Sequence, residues 1–297
     1  MGVMLLYLQC LGRVEQRCPV ANLPPLGEVG PVDVGLFSIE ELGLVFHTQG
    51  DPQVSNAFFT REINCFTSVG GAKECPFGSQ FFEAQQFLKW VMEQERKTRG
   101  DPALKRWPYY GLDYTVVEMG ALDGRTYNNN YFFENQLGWR AVNIEPSRIS
   151  YPLLVKNRPH SININMAGCL EEGELSFTER KEDLAVSHLT SLTQGGTTGE
   201  NYTVLCGPIS KYLKMLGIDR VELFFLDVEG AELTVLESIN FTTLRIHYMI
   251  VEMQELYNIN DSFSKIRNLL YREGFSLVGK FGWDNKNEFF ANKDLLK

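Results

Sequence analysis

From about residue 115 to the end of the chain, apolar and polar positions follow a regular order of strand-like and helix-like segments. Short apolar runs predict strands, and the run Val221–Val228 is apolar almost throughout, as expected in the middle of a parallel sheet. The predicted strands are Thr115–Met119, Arg140–Glu145, Ser161–Ala167, Glu174–Arg180, Val221–Val228 and Ile246–Glu252, with a final antiparallel hairpin of Phe275–Phe281 and Glu288–Asn292.

Apolar residues at helical spacing fall between these strands and predict helices. The polar stretch Leu184–Asn201 is rich in Gly and Thr and predicts a mobile loop. Strands that alternate with helices indicate a doubly wound α/β fold, in which ligands bind at the carboxyl ends of the parallel strands. The predicted helices are Asn128–Leu137, Ser147–Asn157, Pro208–Leu216, Ala231–Ile239 and Ser262–Arg272.

The first third of the chain lacks this alternation. Residues 1–78 are rich in Gly and Pro, whereas helical spacing begins at Gln80. The aromatic segment Trp107–Tyr110 is expected either to form a hydrophobic seam against the sheet or to contribute to a platform for an acceptor. We therefore predict two regions, an N-terminal extension or cap over residues 1–110 and an α/β domain over residues 111–297.

Composition and charge narrow the class of protein. The chain of 297 residues is 44% apolar and 22% charged, which excludes a disordered or collagen-like protein. Its net charge of −9 argues against a nucleic-acid partner, because an acidic surface repels phosphate backbones. No run reaches the roughly 18 apolar residues of a membrane span. The apolar start, Gly2–Leu11, is interpreted either as a terminal element of the fold or as the remainder of a signal or anchor segment.

Cysteine and asparagine usage leaves the cellular compartment open, between cytoplasm and secretory pathway. Six cysteines permit three disulfide bonds, but the sequence does not determine the pairing, and free or buried thiols are the alternative. No C-x-x-C pair occurs and the four histidines are scattered, so we expect no metal site. Three N-glycosylation sequons begin at Asn201, Asn240 and Asn260, against about two expected by chance, so their number decides nothing.

A glycine-rich turn follows the first strand. Gly120 and Gly124 allow the backbone to bend and to approach a ligand, and a helix N-terminus follows them. The spacing is G-x-x-x-G, which differs from the G-x-G-x-x-G pattern of dinucleotide-binding proteins. Glu118 and Asp123 flank the turn and would repel a pyrophosphate, so they favour a cationic or hydroxyl-bearing ligand.

Acidic and small residues end the next two strands. Glu145, followed by Pro146, closes the second strand at the distance from Gly120 where a carboxylate binds the two hydroxyls of a ribose. The third strand ends near Asn165 and Ala167, where backbone groups and small side chains either line an adenine pocket or simply fill a strand end.

Three acids lie within six residues at the end of the predicted strand Val221–Val228. Carboxylates at such a position are costly to desolvate unless they are used, so Asp227, Glu229 and Glu232 indicate a functional site. Glu232 is also explained as a partner of the dipole of the helix that it begins. Asp227 and Glu229 alternate in direction along the chain, so we expect them to have different roles.

Together these motifs resemble the FkbM family of S-adenosylmethionine-dependent methyltransferases, over about Tyr114–Asn292. Some eukaryotic relatives, including Star-like proteins of the secretory pathway, have a similar glycine-rich turn with cysteine in place of Met119, and a trafficking role is their usual association. The segments that carry the resemblance are Glu118–Trp139, Ile144–Pro146, Asn157–Pro159 and Leu226–Leu233.

The resemblance implies a class I methyltransferase (Rossmann-like) fold, with a seven-stranded, mainly parallel sheet whose last strand is antiparallel. It implies S-adenosyl-L-methionine as the cofactor, with its methionine end at the glycine-rich turn and its ribose at the end of the second strand. The cofactor-binding residues that we predict on this basis are Glu118, Gly120, Ala121, Asp123, Gly124, Asn129, Glu145, Pro146 and Ala167.

The expected reaction is in-line transfer of the methyl group from sulfur to a substrate hydroxyl, for which positioning supplies much of the catalysis. Asp227 and Glu229 are the candidate bases that remove the hydroxyl proton, with His188 in reserve. The resemblance favours a sugar, glycan or small-metabolite acceptor. The alternative is a non-catalytic interaction or trafficking protein that keeps the fold as a scaffold. No oligomeric state is predicted.

Overall fold

The computed structural model describes residues 112–180, 187–189, 199–281 and 286–295, together with six residues of the N-terminal region. These six are helical, in agreement with the helix predicted from Gln80. Most of the predicted extension, including Trp107–Tyr110, lies outside the described residues, so the domain boundary near residue 110 stays a prediction. The six residues are Ala84, Phe87, Trp90, Val91, Gln94 and Lys97.

Strands and helices alternate along the rest of the described chain. None of its helices is both long enough and apolar enough to cross a membrane. The strands are β1 Thr115–Met119, β2 Arg140–Ile144, β3 Ile162–Ile164, β4 Ala167–Gly168, β5 Gly173–Glu179, β6 His188–Leu189, β7 Glu200–Gly207, β8 Arg220–Leu226, β9 Arg245–Glu252, β10 Phe275–Phe281 and β11 Asn287–Asn292. The helices are α1 Tyr131–Leu137, α2 Ser150–Asn157, α3 Ile209–Met215, α4 Glu232–Ser238 and α5 Ser262–Arg272.

Seven of the strands form the main sheet, in the order β10-β11-β9-β8-β1-β2-β3. The pairs along β9-β8-β1-β2-β3 are parallel, whereas β11 runs antiparallel to both β9 and β10. This confirms the predicted seven-stranded, mainly parallel sheet with an antiparallel last strand. A smaller sheet has the order β4-β7-β5-β6.

Alternate side chains of the central strand β8 pack on opposite faces of the main sheet, because successive strand residues point to opposite sides. Phe224 and Leu226 join the apolar cluster that includes side chains of α3, α4 and α5. Leu223 and Phe225 join a second cluster on the other face, formed with α1. Both faces are therefore covered, which explains why this strand is an uninterrupted apolar run in the sequence.

The helical residues before residue 100 pack on the α1 face of the sheet. Ala84, Phe87 and Val91 are buried there. The ring of Phe87 makes edge-to-face contacts with Phe133 of α1 (5.8 Å between centroids) and with Phe289 of β11 (5.8 Å). These few residues thus cover part of the sheet, and the role of residues 1–110 as a cap stays a prediction.

Two helices begin three residues later than the sequence predicts. α1 begins at Tyr131 and not at Asn128, because the backbone N–H groups of Asn129 and Asn130 donate to a buried carboxylate of β1 instead of continuing the helix. α2 begins at Ser150 and not at Ser147, whose hydroxyl accepts a hydrogen bond from the N–H of Ser150 (2.9 Å). Short polar side chains that bind nearby backbone favour such cap positions over helix interiors.

Two predictions for the middle of the chain are wrong in detail. The predicted strand Ser161–Ala167 is divided, since β3 belongs to the main sheet and β4 to the smaller one. The predicted loop Leu184–Asn201 contains β6 and the start of β7, and its other residues lie largely outside the described part of the chain. β7 escapes prediction because its first residues are polar and mostly exposed, so that its apolar alternation is weak.

A disulfide bond joins Cys169 to Cys206, with 5.7 Å between the two Cα atoms. It lies where β4 pairs with β7, since Ala167 is level with Cys206. The sequence leaves the pairing of the cysteines open, and the structure resolves it for these two. The remaining four cysteines lie outside the described residues.

Candidate active site

The carboxyl ends of four neighbouring strands meet at one edge of the main sheet. Met119 of β1 is level with Ile144 of β2 and with Leu226 of β8, and Leu226 is level with Val251 of β9. Ligands of doubly wound sheets bind at this edge. The residues that follow within one or two positions therefore lie side by side: Gly120, Glu145, Asp227 and Glu252.

Two glycines hold the turn after β1 against other parts of the fold. Gly120 has a φ of +85°, and a Cβ atom at this position would lie 1.7 Å from the carbonyl oxygen of Asp227. Gly124 has a φ of +76°, and its Cβ would lie 2.6 Å from side-chain carbons of Leu154 and Arg158. Backbone geometry and internal packing therefore require both glycines. The approach of a ligand, which is the reason expected from the sequence, is not needed to explain them.

Glu118 is buried below this turn, and its carboxylate binds the backbone. Oε1 accepts hydrogen bonds from the N–H of Asn129 (2.8 Å) and from its Nδ2 (3.2 Å), and Oε2 accepts one from the N–H of Asn130 (2.9 Å). Burial raises the pKa of Glu118 to about 7, although the hydrogen bonds from Asn129 and Asn130 lower it. Glu118 and Asn129 thus bind each other, and their contact with a cofactor stays a prediction.

Asp123 and Arg158 hold the far end of the turn. Asp123 accepts hydrogen bonds from the N–H (2.6 Å) and the hydroxyl (2.8 Å) of Thr126. Arg158 is only 1% exposed, donates from Nη1 to the carbonyl oxygen of Gly124 (3.1 Å) and pairs through Nε with Glu134 (2.7 Å). Sequence reasoning assigns no role to Arg158, because its pairing with Glu134 depends on tertiary structure.

Glu145 occupies the end of β2, where the sequence predicts a ribose-binding acid. Its Oε2 accepts a hydrogen bond from the N–H of Leu122 (2.8 Å), and Oε1 accepts one from the N–H of Ser147 (2.8 Å). Burial raises its pKa to about 7, the two hydrogen bonds lower it, and the nearby Glu179 raises it. A carboxylate has about four acceptor positions, so Glu145 can accept further hydrogen bonds from a pair of hydroxyls.

The segment between β3 and β4 lies against the ends of β1 and β2. The Nδ2 of Asn165 donates to the backbone oxygen of Glu145 (2.8 Å). A Cβ at Gly168 would lie 2.9 Å from the terminal methyl carbon of Met119, which places β4 next to the end of β1. Ala167 is buried in β4. Asn165 thus contacts Glu145 and Gly168 packs against Met119, and the predicted adenine contact of Ala167 stays a prediction.

Three carboxylates converge after β8 and β9. Asp227, Glu229 and Glu252 each place one oxygen so that the three atoms lie within 4.8 Å of one another. The hydroxyl of Tyr257 hydrogen-bonds to Glu229. The sequence predictions include Asp227 and Glu229 but not Glu252, although its position at the end of a buried strand is the signal that marks Asp227. Tyr257 comes close only through the fold, and nothing in the sequence marks it.

The third acid of the sequence motif, Glu232, has a different role. Its Oε1 accepts hydrogen bonds from the N–H groups of Val228 (3.0 Å) and Gly230 (3.2 Å), so it holds the loop between β8 and α4. Burial raises its pKa to about 7, and the backbone hydrogen bonds lower it. Glu232 thus supports the loop that carries Asp227 and Glu229, beyond its expected interaction with the helix dipole.

The surroundings of Asp227 oppose the ionisation of its carboxyl group. Burial raises the pKa of Asp227 well above its usual range, and the charges of Glu252 and Glu229 raise it further. The carboxyl groups of Asp227 and Glu252 share a hydrogen bond. In the described part of the chain, neither residue has an ion pair with Lys or Arg. A cation bound beside them would therefore be stabilised by nearby negative charge.

Two kinds of cation suit this donor set. A sulfonium group is stabilised by the negative potential alone, whereas a divalent ion such as Mg²⁺ would use the carboxylate oxygens as ligands. The sequence leads us to expect no metal, and that expectation stays a prediction.

His188, the reserve base, lies in β6 of the smaller sheet, where it pairs with Thr178 of β5. The sequence places it in a mobile loop, and this part of the prediction is wrong. Antiparallel pairing with β5 fixes its backbone, whereas the neighbouring residues 181–186 and 190–198 lie outside the described residues.

The family model of the methyltransferase FkbM domain matches residues 118–277, which is more than half of the chain. The chain therefore belongs to the FkbM methyltransferase family, and the family and the sheet topology confirm the predicted class I methyltransferase fold. S-adenosyl-L-methionine is the cofactor of this class of enzyme. Among curated proteins, none matches the chain significantly.

Several solved structures are similar to this chain in fold. A methyltransferase FkbM from Methylobacillus flagellatus is 13% identical, with 64% of this chain and 45% of that chain covered and a TM-score of 0.40. A fibrillarin pre-rRNA processing protein from Methanococcus jannaschii is 14% identical, with 63% and 69% covered and a TM-score of 0.37. Aeropyrum pernix fibrillarin with natively bound S-adenosyl-L-methionine is 12% identical, with 63% and 69% covered and a TM-score of 0.36. The chain thus spans less than half the length of the Methylobacillus protein.

Proposed function

We propose that this protein transfers a methyl group from S-adenosyl-L-methionine to a hydroxyl group of a sugar, glycan or small metabolite. Family membership supports the cofactor and the class of reaction. The observation that carries the finer proposal is the carboxylate cluster of Asp227, Glu229 and Glu252 at the ends of β8 and β9. This cluster supports the proposal because carboxylates can accept a proton, and these lie at the edge of the sheet where the ligands of doubly wound folds bind.

The residues at the ends of β1, β2 and β4 fit the cofactor by the chemistry that they offer. Glu145 would bind the ribose hydroxyls, because its carboxylate is held in place by Leu122 and Ser147 and keeps free acceptor positions. The buried Ala167 would lie beside the adenine. Gly120 would leave room along the backbone for the methionine end. When bound, the cofactor supplies an electrophilic methyl group on a cationic sulfur.

Asp227 is the proposed general base. A hydroxyl nucleophile must lose its proton to attack, and a carboxylate with a raised pKa accepts that proton more readily than an ordinary one. Burial together with the neighbouring Glu252 and Glu229 raises the pKa of Asp227. Glu229, which forms a hydrogen bond with Tyr257, is the second candidate for this role.

An uncharged acceptor suits the site better than an anionic one. The three clustered carboxylates repel a phosphate or carboxylate on the acceptor, whereas hydroxyl groups of a sugar can donate hydrogen bonds to them. The same argument, together with the net charge of −9, leads us to propose that nucleic acid is not the acceptor.

Two experiments test the proposal in sequence. Calorimetry with S-adenosyl-L-methionine and S-adenosylhomocysteine measures cofactor binding, and Glu237→Gln serves as a control because Glu237 is an exposed acid on α4. Mass spectrometry then searches a library of glycans and metabolites for products that gain one methyl group.

The outcomes separate the proposal from a non-catalytic role. Binding followed by a methylated product that disappears in Asp227→Asn supports the enzyme. Binding of the cofactor without any product from the library supports a scaffold or interaction protein. Absence of binding at millimolar cofactor overturns both the cofactor assignment and the reaction.

A further inference from the structure

We propose that Asn240 carries an N-linked glycan, added in the oxidising compartment in which this chain forms its disulfide bond. The inference combines two independent features, a sequon whose asparagine amide is available at the surface and a disulfide between two strands. Neither the family nor the proposed methyl transfer implies it.

The sequon of Asn240 lies in an exposed turn directly after α4. The Oδ1 of Asn240 accepts hydrogen bonds from the N–H (3.1 Å) and the hydroxyl (2.6 Å) of Thr242, which is the third residue of the sequon. Both side chains are exposed. The Nδ2 of Asn240, the atom to which a sugar is attached, makes no hydrogen bond to any residue that the structure describes.

Other asparagines of the described chain use the same atom to hold the fold. The Nδ2 groups of Asn128, Asn143 and Asn163 are buried and donate to Ala121, Asn163 and Arg158 respectively. A glycan could not be attached to them without removing these bonds. At Asn240 the glycan replaces a hydrogen atom that faces solvent.

The two remaining sequons are less suited to a glycan. Asn201 is in β7, level with Thr178 of β5, whose hydroxyl donates to its Oδ1 (2.8 Å). Asn260 lies within the short 3₁₀ segment Ile259–Asp261, where its φ of +52° departs from helical geometry. Asn240 alone of the three combines an exposed turn with a contact to its own Thr242.

The position of Asn240 keeps a glycan away from the candidate active site. α4 begins next to the loop of Asp227 and packs along the sheet towards its opposite edge, so its end lies far from the carboxyl ends of the strands. A glycan at the end of α4 would therefore leave the cofactor and acceptor sites open.

The disulfide bond supplies the second observation. Cys169 and Cys206 are 37 residues apart in the chain and close the smaller sheet where β4 meets β7. Such bonds form and persist in oxidising compartments and are rare where glutathione keeps thiols reduced. Sequons are modified in proteins that enter the secretory pathway, which is an oxidising compartment.

Both covalent steps balance with reactants of that compartment. The two thiols lose two protons and two electrons to a disulfide-exchanging oxidase as the S–S bond forms. The Nδ2 of Asn240 attacks the first sugar carbon of an oligosaccharide on a polyprenyl diphosphate. The bond from that carbon to the diphosphate breaks, the amide loses a proton, and polyprenyl diphosphate leaves.

The test uses the full chain expressed in cultured eukaryotic cells, with N-ethylmaleimide added at lysis to block free thiols. Peptide mapping by mass spectrometry then reads two sites. We expect a Cys169–Cys206 linked peptide, and a glycan on the Asn240 peptide that a peptide N-glycosidase removes, leaving aspartate.

Matched variants assign the glycan to the sequon. Thr242→Ala is expected to lose the glycoform, and Thr242→Ser to keep it. Asn268→Gln is the control, because Asn268 is exposed on α5 but begins no sequon. An unmodified Asn240 in the wild-type protein overturns the proposal whether or not the disulfide is present, and so does a glycan at this position in Thr242→Ala.

Discussion

Carboxylates line both sides of the candidate site, but they have different partners on each side. Beside the glycine-rich turn, Glu118 accepts three hydrogen bonds from Asn129 and Asn130, and Glu134 pairs with Arg158. After β8 and β9, Asp227 and Glu252 lie against each other without an ion pair to any described Lys or Arg.

The first group of acids stabilises the structure of the site through hydrogen bonds and ion pairs. The second group is proposed to interact with a ligand. A carboxylate whose oxygens already accept hydrogen bonds from backbone N–H groups has few acceptor positions left for a ligand. Two carboxylates close together repel each other, so a bound cation or an added proton stabilises them. The predictions below test this division first by single substitutions, from the largest expected effect to the smallest, and then by pH.

The largest expected effect is on turnover. Asp227→Asn removes the proposed base with little change in shape, so kcat should fall about 10²–10⁴-fold while the Kd for the cofactor changes far less. Steady-state kinetics with the identified acceptor and calorimetry with S-adenosylhomocysteine measure the two effects. An unchanged kcat would transfer the role of base to Glu229, where Glu229→Gln would test it.

The next largest effect is on stability, on the other side of the site. Arg158→Leu leaves the buried Glu134 without its ion-pair partner, so the free energy of unfolding should fall by about 3–5 kcal/mol. Arg272→Leu is the matched control, because the Arg272–Glu273 pair is exposed and contributes about 0–1 kcal/mol. Denaturant unfolding measures both variants, and equal losses would contradict a structural role specific to Arg158.

Glu145 tests whether a carboxylate that is held by the backbone can still bind a ligand. Glu145→Ala should weaken binding of S-adenosyl-L-methionine at least tenfold, which corresponds to about 1.4 kcal/mol, because the ribose hydroxyls lose their carboxyl acceptor. Calorimetry measures the change. Wild-type affinity in this variant would mean that Glu145 only holds the backbone in place and does not bind the cofactor.

The next prediction concerns the pH dependence of stability, to which several carboxyl groups contribute together. Burial raises the pKa values of Glu118, Glu145 and Glu232 from 4.5 to about 7 in the folded protein. The unfolded chain therefore loses these protons first as the pH rises, and the free energy of unfolding should fall between about pH 5 and pH 7.

The same measurement distinguishes the acids after β8 and β9. Glu252→Gln removes a charge that raises the pKa of Asp227, so the decrease in stability with pH should become smaller. Denaturant unfolding at a series of pH values measures both curves. Identical slopes in wild type and variant would mean that Asp227 and Glu252 are not coupled.

Periodicity in the sequence predicts those elements whose burial follows it closely. β1 and α5 lie at the predicted residues, because β1 is buried throughout and α5 buries one regular stripe. The start of β7 is not predicted as a strand, because its first residues are mostly polar and exposed. Local pattern carries no information about a strand that is stabilised by pairing at the edge of a small sheet.

The candidate site shows the same limit. Position at a strand end is sufficient to predict Glu145 and Asp227, and it would have predicted Glu252. By contrast, Arg158 and Tyr257 reach the site only through tertiary packing, and the three hydrogen bonds to Glu118 depend on where α1 begins. Residue type and spacing predict where the charged side chains lie, but not which of them already form hydrogen bonds or ion pairs within the protein.

The missing side chain of Gly120 has a further consequence. Because any Cβ there would meet the backbone oxygen of Asp227, the turn expected to receive the cofactor and the loop that carries the proposed base pack main chain against main chain at this point. A substitution at position 120 must displace one of them, and Gly120→Ala should impair cofactor affinity and turnover together. Cofactor affinity and turnover therefore depend on the same backbone contact. Substitutions meant to change only one of these two properties have to be made elsewhere, at side chains such as Glu145 or Glu252.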